Sequence, residues 1–147
     1  MEVGGMSAMQ RRKGASAERE LFRLLSDELG TVVRRNVDQA RKGGADGLEV
    51  DGWAIEVKRH ESGLRAEWWA QAVAQATSTD RWPALAYRAS RQPWRVRVWL
   101  SCCCADSLAE AAAVVDAWVE VDLQTFALIV RESLHATERT RDERQAA

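Results

Sequence analysis

Glu56 and Lys58 lie two residues apart inside the run Trp-Ala-Ile-Glu-Val-Lys-Arg-His at 53–60. In an extended segment side chains alternate between faces, so Glu56 and Lys58 point one way while Trp53, Ile55 and Val57 point the other. A carboxylate can hold a hard cation, and an ammonium beside it can stabilise an attacking hydroxide or a charged transition state. The same spacing also suits a half-buried strand whose outer face is merely solvated, with an ion pair of little energetic consequence. The decision rests on what else converges on that face.

Two further acids are candidates. Asp46 comes at the end of a Gly-rich, charged loop, Asp-Gln-Ala-Arg-Lys-Gly-Gly-Ala-Asp-Gly at 38–47, just before a short strand at 48–50. Its neighbour Asp51 has a sufficient role in the tight hairpin signalled by Asp51-Gly52; Asp46 has no such role. Glu18 falls in an amphipathic helix over 15–29 whose apolar stripe is Leu21, Phe22, Leu24, Leu25 and Leu29, with Gly30 as terminator. At 100° per residue, Phe22, Leu25 and Leu29 return to within about 40° of Glu18, whereas Glu20 lands about 200° away. Glu18 is therefore expected on the buried stripe and Glu20 in water. A carboxylate on that stripe costs free energy unless paired or coordinated. The alternative is a first turn that overhangs the core, with Glu18 solvated at the positive end of the helix dipole.

If the strand of Glu56 pairs with the strand after Asp46, and the helix packs across both, then Asp46, Glu56 and Glu18 gather around one point beside Lys58. Three close carboxylates repel one another unless a cation sits among them, and hard oxygen ligands with an open side suit Mg²⁺. Such an ion clamps a phosphate and lowers the pKa of a bound water.

The elements that must position these groups follow from periodicity. Strands are predicted at 31–37, with Arg34 and Arg35 at the exit, and at 48–50, 53–58, 84–88, 94–100 and 118–123. A second helix at 65–78 places Trp68, Trp69, Ala72, Val73 and Ala76 inward and Gln71 and Gln75 on its flank; an Ala-rich stretch covers 107–115, and a last helix runs over 124–136. The order predicts an α/β sandwich, a central mixed β-sheet flanked by helices. One domain is expected: a core over 11–100, a C-terminal strand-helix extension over 101–137, and a charged, frayed tail at 138–147.

At 147 residues and 46% hydrophobic content the chain can build one core without staples. No stretch reaches membrane-spanning length and the N-terminus lacks a signal-peptide pattern, so a cytoplasmic protein with no membrane partner is expected. Cys102, Cys103 and Cys104 are adjacent, which suits neither disulfide geometry nor the separated pairs of zinc sites; they read as reduced thiols. The net charge of −1 hides an asymmetry: the first 100 residues carry 17 basic and 13 acidic side chains, the remainder 4 and 9. The clusters Arg11-Arg12-Lys13, Arg34-Arg35, Arg41-Lys42 and Lys58-Arg59 are either solvated faces or a surface for phosphates. Seven tryptophans are many for this length; Trp68, Trp69, Trp94 and Trp99 either line a partner surface or cover the sheet.

Asp46, Glu56 and Lys58 form D-x9-E-x-K, which resembles the PD-(D/E)XK nuclease signature, with Ala45 where the motif's name has proline. Lys-Gly-Ala-Ser-Ala-Glu-Arg-Glu-Leu-Phe-Arg-Leu-Leu at 13–25, followed by Val-Val-Arg at 32–34, resembles the N-terminal region of archaeal-type Holliday junction resolvases. The likeness extends through Pro-Trp-Arg-Val-Arg-Val at 93–98, and the Gln-Ala pair of the second helix is similar to small phage-encoded resolvases. The resemblance implies a restriction-endonuclease-like fold and a Mg²⁺-dependent endodeoxyribonuclease, with Mn²⁺ an alternative ion, that acts on four-way junctions as a homodimer in a bacterial or archaeal cell or from a phage. It implies Asp46 and Glu56 as metal ligands with the Val57 carbonyl, and Glu18 as a ligand directly or through water. Lys58 would assist the nucleophilic water, Arg19 and Arg34 would contact backbone phosphates along with the clusters of Arg11, Arg12, Lys13, Arg35 and Arg59, and Gln71 is either an auxiliary glutamine or a polar flank. Two other readings of the same residues stay open: a restriction-like or repair nuclease of this fold, and a DNA-binding module without catalysis.

Overall fold

Ala17, Leu21 and Leu25 recur every fourth residue, and in the computed structural model they form the buried side of helix α1, Ala8–Leu29. The structure describes residues 7–30, 34–35, 48–50, 52–61, 63–104 and 106–146. After α1 come strands β1 (Arg34–Arg35), β2 (Leu48–Val50) and β3 (Trp53–His60), helix α2 (Ala66–Ser78), strands β4 (Trp82–Ala89) and β5 (Arg95–Trp99), a 3₁₀ turn at Leu100–Cys103, helix α3 (Asp106–Val114), strand β6 (Trp118–Asp122) and helix α4 (Leu123–Ala146). Gly30 closes α1 at φ +67°, the left-handed conformation that ends helices at least cost on glycine.

Among the described residues the strands form one six-stranded sheet in the order β1-β2-β3-β4-β5-β6. Every neighbouring pair is antiparallel except β3 and β4, which run parallel over eight rungs from Trp53↔Trp82 to His60↔Ala89. A parallel pair needs a crossover, and α2 supplies it. The expected mixed sheet flanked by helices is what the chain builds. On one face, Trp53, Ile55, Ala84, Ala86, Val96 and Val98 pack against Ala17, Leu21 and Leu25 of α1 and Phe126 and Val130 of α4. On the other, Ala72 and Ala76 of α2 are buried, small side chains that let the helix approach the sheet closely.

Three boundaries differ from the sequence-based expectation. Helix α1 begins at Ala8, seven residues before the expected start at 15, so that Arg11, Arg12 and Lys13 ride on an exposed helical arm. These are good helix formers and the arm needs no apolar stripe to continue the α1 hydrogen bonding, which is why hydrophobic periodicity did not mark it. At the other end α4 continues to Ala146, ten residues past the expected end at 136; the segment is rich in Glu, Arg, Gln and Ala, good helix formers that carry the helix on where the apolar stripe stops. The boundary expected near residue 100 falls inside the sheet, which the C-terminal strand-helix extension continues. β6 adds to β5 along five rungs, and Phe126 and Val130 are fully buried.

The tryptophans divide. Trp53 and Trp94 are buried in the core, Trp68, Trp69 and Trp99 are half-buried, and Trp82 and Trp118 are exposed. Trp69 packs edge-on to Trp99 at 6.5 Å.

β4, β5 and β6 are tied on the α2 face by side chains. The Tyr87 hydroxyl donates to Glu120 Oε2 at 2.7 Å, and Arg97 donates from Nε and Nη2 to Glu120 Oε1 at 3.1 and 2.6 Å. The Arg97 guanidinium also lies 3.6 Å from the centroid of Trp118. Burial, then the hydrogen bond to Glu120 and its negative charge, push the Tyr87 phenol from 10.0 up to about 12. A folded value above the unfolded one means that this contribution is complete below pH 10 and is lost as pH rises toward 12. Thermal melts across that interval should show the wild type losing more stability than Tyr87→Phe, which has no phenol to ionise.

Candidate active site

β3 is the rail on which the E-x-K pair is mounted. The parallel ladder sets Glu56 opposite Leu85 and Lys58 opposite Tyr87. On its other side β3 is paired with β2 from Trp53 to Ile55, whose partner is Leu48. Beyond Ile55, among the described residues, β3 has a ladder on the β4 side alone.

Glu56 and Lys58 project away from the Trp53–Ile55 core face, as alternation requires. Lys58 Nζ lies 2.9 Å from Glu56 Oε1, with the two side chains 29% and 17% exposed. Such a half-buried pair is screened less than one in open water. Trp68 of α2 flanks the pair, its ring centroid 6.0 Å from Lys58 Nζ.

The main chain has a direction here too. The Trp82 N–H donates to the Gly52 carbonyl at 2.9 Å, the first rung between β3 and β4. Backbone groups alternate sides along a strand, so the even-numbered residues of β3 offer theirs to β4 and the odd-numbered ones to the opposite edge. The Val57 carbonyl therefore points to the edge of β3 on the β2 side.

Glu18 is half-buried on α1. Glu20 is half-buried as well, which corrects the expectation that it faces water: it pairs with Arg88 of β4. The wheel located the apolar stripe but carried no information on which strand lies under each flank of the helix. Asp46 lies outside the described residues. Arg34 and Arg35 form β1, in register with Glu49 and Leu48. Arg11, Arg12, Lys13 and Arg19 are exposed on α1, and Lys13 Nζ meets Glu61 Oε1 at 3.4 Å just past the end of β3. Arg59 is exposed on β3, and Gln71 is on the exposed side of α2.

Among the described residues no three His, Cys, Asp or Glu side chains gather as a metal nest. The Glu56 carboxylate and the Val57 carbonyl are hard oxygens of the kind that bind Mg²⁺ or Mn²⁺. Burial pushes the Cys102 thiol up to about 12 and raises that of Cys103, away from the thiolate form in which cysteine is a nucleophile. Sequence reasoning passed over Trp68, His60 and Arg65 as neighbours of the pair. The signal was present, since His60 continues the Glu56, Lys58 alternation and Arg65 and Trp68 are three apart at the start of a helix.

A mixed sheet with one parallel crossover, helices on both faces and an E-x-K pair on the strand that enters the crossover defines the restriction-endonuclease-like α/β class. Residues 9–143 match the family described as "Phage putative PDDEXK endonuclease". The chain belongs to that family and, through it, to the PD-(D/E)XK nuclease superfamily, whose members use divalent metal ions. The match continues past residue 100 through β6 and nearly to the end of α4. No curated protein and no solved structure gives a match. No helix among the described residues is long and apolar enough to cross a membrane.

Proposed function

We propose that the protein is a Mg²⁺-dependent DNA endonuclease that cuts branched DNA, with the four-way junction as its substrate and a homodimer as its working form. The observation that carries the reading is the 2.9 Å Lys58–Glu56 pair on β3, held half-buried beside a strand edge to which the Val57 carbonyl also points. Glu56 and Val57, with Asp46 and Glu18, would hold the ion. When bound, the ion supplies positive charge at the scissile phosphate and a lowered pKa for a neighbouring water.

The chain's own groups do the rest. Glu56 fixes Lys58, whose ammonium stabilises charge developing in the transition state. Water attacks phosphorus in line and the bond to the 3′ oxygen breaks, leaving a 5′-phosphate and a 3′-hydroxyl. Asp46 stands two residues before Leu48, and Leu48 pairs with the residue preceding Glu56, so covalent reach favours its joining the site. Glu20 engages Arg88 of β4, and Glu18, about 200° away around α1, is turned from that contact.

The exposed arginines and lysine at 11–13, with Arg19, Arg34, Arg35 and Arg59, would track phosphates and make affinity fall with salt. The junction reading draws on the Lys-Gly-Ala-Ser-Ala-Glu-Arg-Glu-Leu resemblance, and two symmetric cuts call for two sites related by a two-fold axis. The test is a cleavage panel with Mg²⁺ on a synthetic four-way junction, linear duplex and supercoiled plasmid. Paired symmetric nicks near the branch are expected. Fixed-sequence cuts in linear duplex would identify a restriction-like enzyme instead, and binding with no cleavage of any substrate a non-catalytic module.

A further inference from the structure

We infer that Trp68, flanked by His60 and Arg65, forms a subsite for one unpaired nucleotide beside the scissile phosphate, an inference that rests on the endonuclease reading above. A tryptophan that only fills space between layers is surrounded by apolar groups, as Trp53 is by Phe126 at 5.3 Å and Trp82 at 5.5 Å. Trp68 has basic neighbours instead. Lys58 Nζ is 6.0 Å and Arg65 Cζ 5.9 Å from its centroid, and the His60 ring stands edge-on at 5.8 Å and 61°. The indole is half-buried, so part of it is open to a ligand.

These neighbours attract phosphate, and the aromatic ring attracts a base. That combination of cationic groups and stacking surface is what holds single-stranded nucleic acid, by a contact that tolerates any base. The carboxylate nearest Arg65, Glu67, is 3.8 Å away with both side chains more than half exposed, a pairing that a phosphate displaces readily. Glu56, Lys58 and His60 share one face of β3, so a strand running along β3 past the cleavage pair meets His60 and Trp68 next.

A base inside a continuous duplex has both faces stacked and cannot present one to Trp68. A nucleotide at a branch, flap or gap can. The subsite therefore selects unpaired DNA beside the cut without reading sequence, a means of structure selection contained in a single subunit.

The experiment uses the full chain carrying Glu56→Gln, which keeps substrate intact, and a fluorescently labelled fork in which one abasic residue is moved stepwise along the strand flanking the branch. One abasic position is expected to weaken binding about tenfold. Trp68→Leu should abolish that position-specific loss, and Trp68→Phe, which retains an aromatic face and most of the packing, should preserve most of it. Equal binding of every abasic fork by the Glu56→Gln protein would overturn the subsite. So would unchanged discrimination in Trp68→Leu, or a uniform weakening on all forks, the result expected if Trp68 only braces the Lys58 stem. Because the readout is binding, a protein that discriminates but cuts no DNA with Mg²⁺ would retain the subsite and lose the endonuclease reading.

Discussion

Glu56→Gln is expected to slow DNA cleavage by at least about 10²–10³-fold while leaving the fold in place. The substitution preserves the shape of the side chain and removes its charge. Two functions of the carboxylate disappear together: a hard anionic donor on β3, and the 2.9 Å anchor that holds Lys58. The backbone should be indifferent, since β3 is fixed by its eight-rung ladder with β4 and by Trp53 and Ile55 in the core, not by the pair. Lys58 is 29% exposed and can be solvated without its partner, so the melting temperature should move little. Initial cleavage rates and a thermal melt measure both quantities. A mutant that cuts within a few-fold of the wild-type rate would remove Glu56 from the reaction and with it the proposed metal site.

The second large effect is on stability. Phe126→Ala should cost about 3–5 kcal/mol, the range for emptying a fully buried aromatic position. Phe126 meets Trp53 edge-on at 5.3 Å and 90°, and the Trp53 indole N–H donates to the Ser133 hydroxyl at 3.2 Å. The C-terminal helix and the strand of the E-x-K pair therefore share one packing unit. Against a typical total of about 5–15 kcal/mol, such a loss leaves little reserve. Urea unfolding measures it; a cost under about 1 kcal/mol would mean that α4 rests on the domain without supporting it. Cleavage should fail in parallel, although Phe126 is a core residue with no part in the chemistry.

What could be read in the sequence was whatever is written locally. The Leu21, Leu25 stripe and the E-x-K alternation each occupy a few neighbouring residues, and helix α1 and strand β3 formed over them, while Asp51 of the hairpin signal lies outside the described residues. Glu20 with Arg88, 68 positions apart, and Tyr87 with Glu120, 33 apart, have no local signature, because their meeting depends on which strand passes under which helix. The C-terminal third carried its pattern weakly. Phe126, Ala127 and Val130 are buried between the exposed Leu128 and the half-exposed Leu123 and Ile129, so periodicity showed a helix but not how deeply it is embedded. Of the candidate site, the pair on β3 was legible in full. Its surroundings were legible only in part: His60 continues the alternation on β3, whereas the approach of Trp68 depends on how the crossover helix packs on the strand.

One feature of β3 gives the middle letter of E-x-K a meaning. Val57 turns its side chain inward among hydrophobic neighbours while its carbonyl looks toward the margin of β3 opposite β4. Residue 57 could thus be exchanged for isoleucine with no expected change in ion affinity, because what the ion would meet is peptide, common to every amino acid. Proline at that position would be a different matter, since its ring would obstruct any strand returning along the same margin.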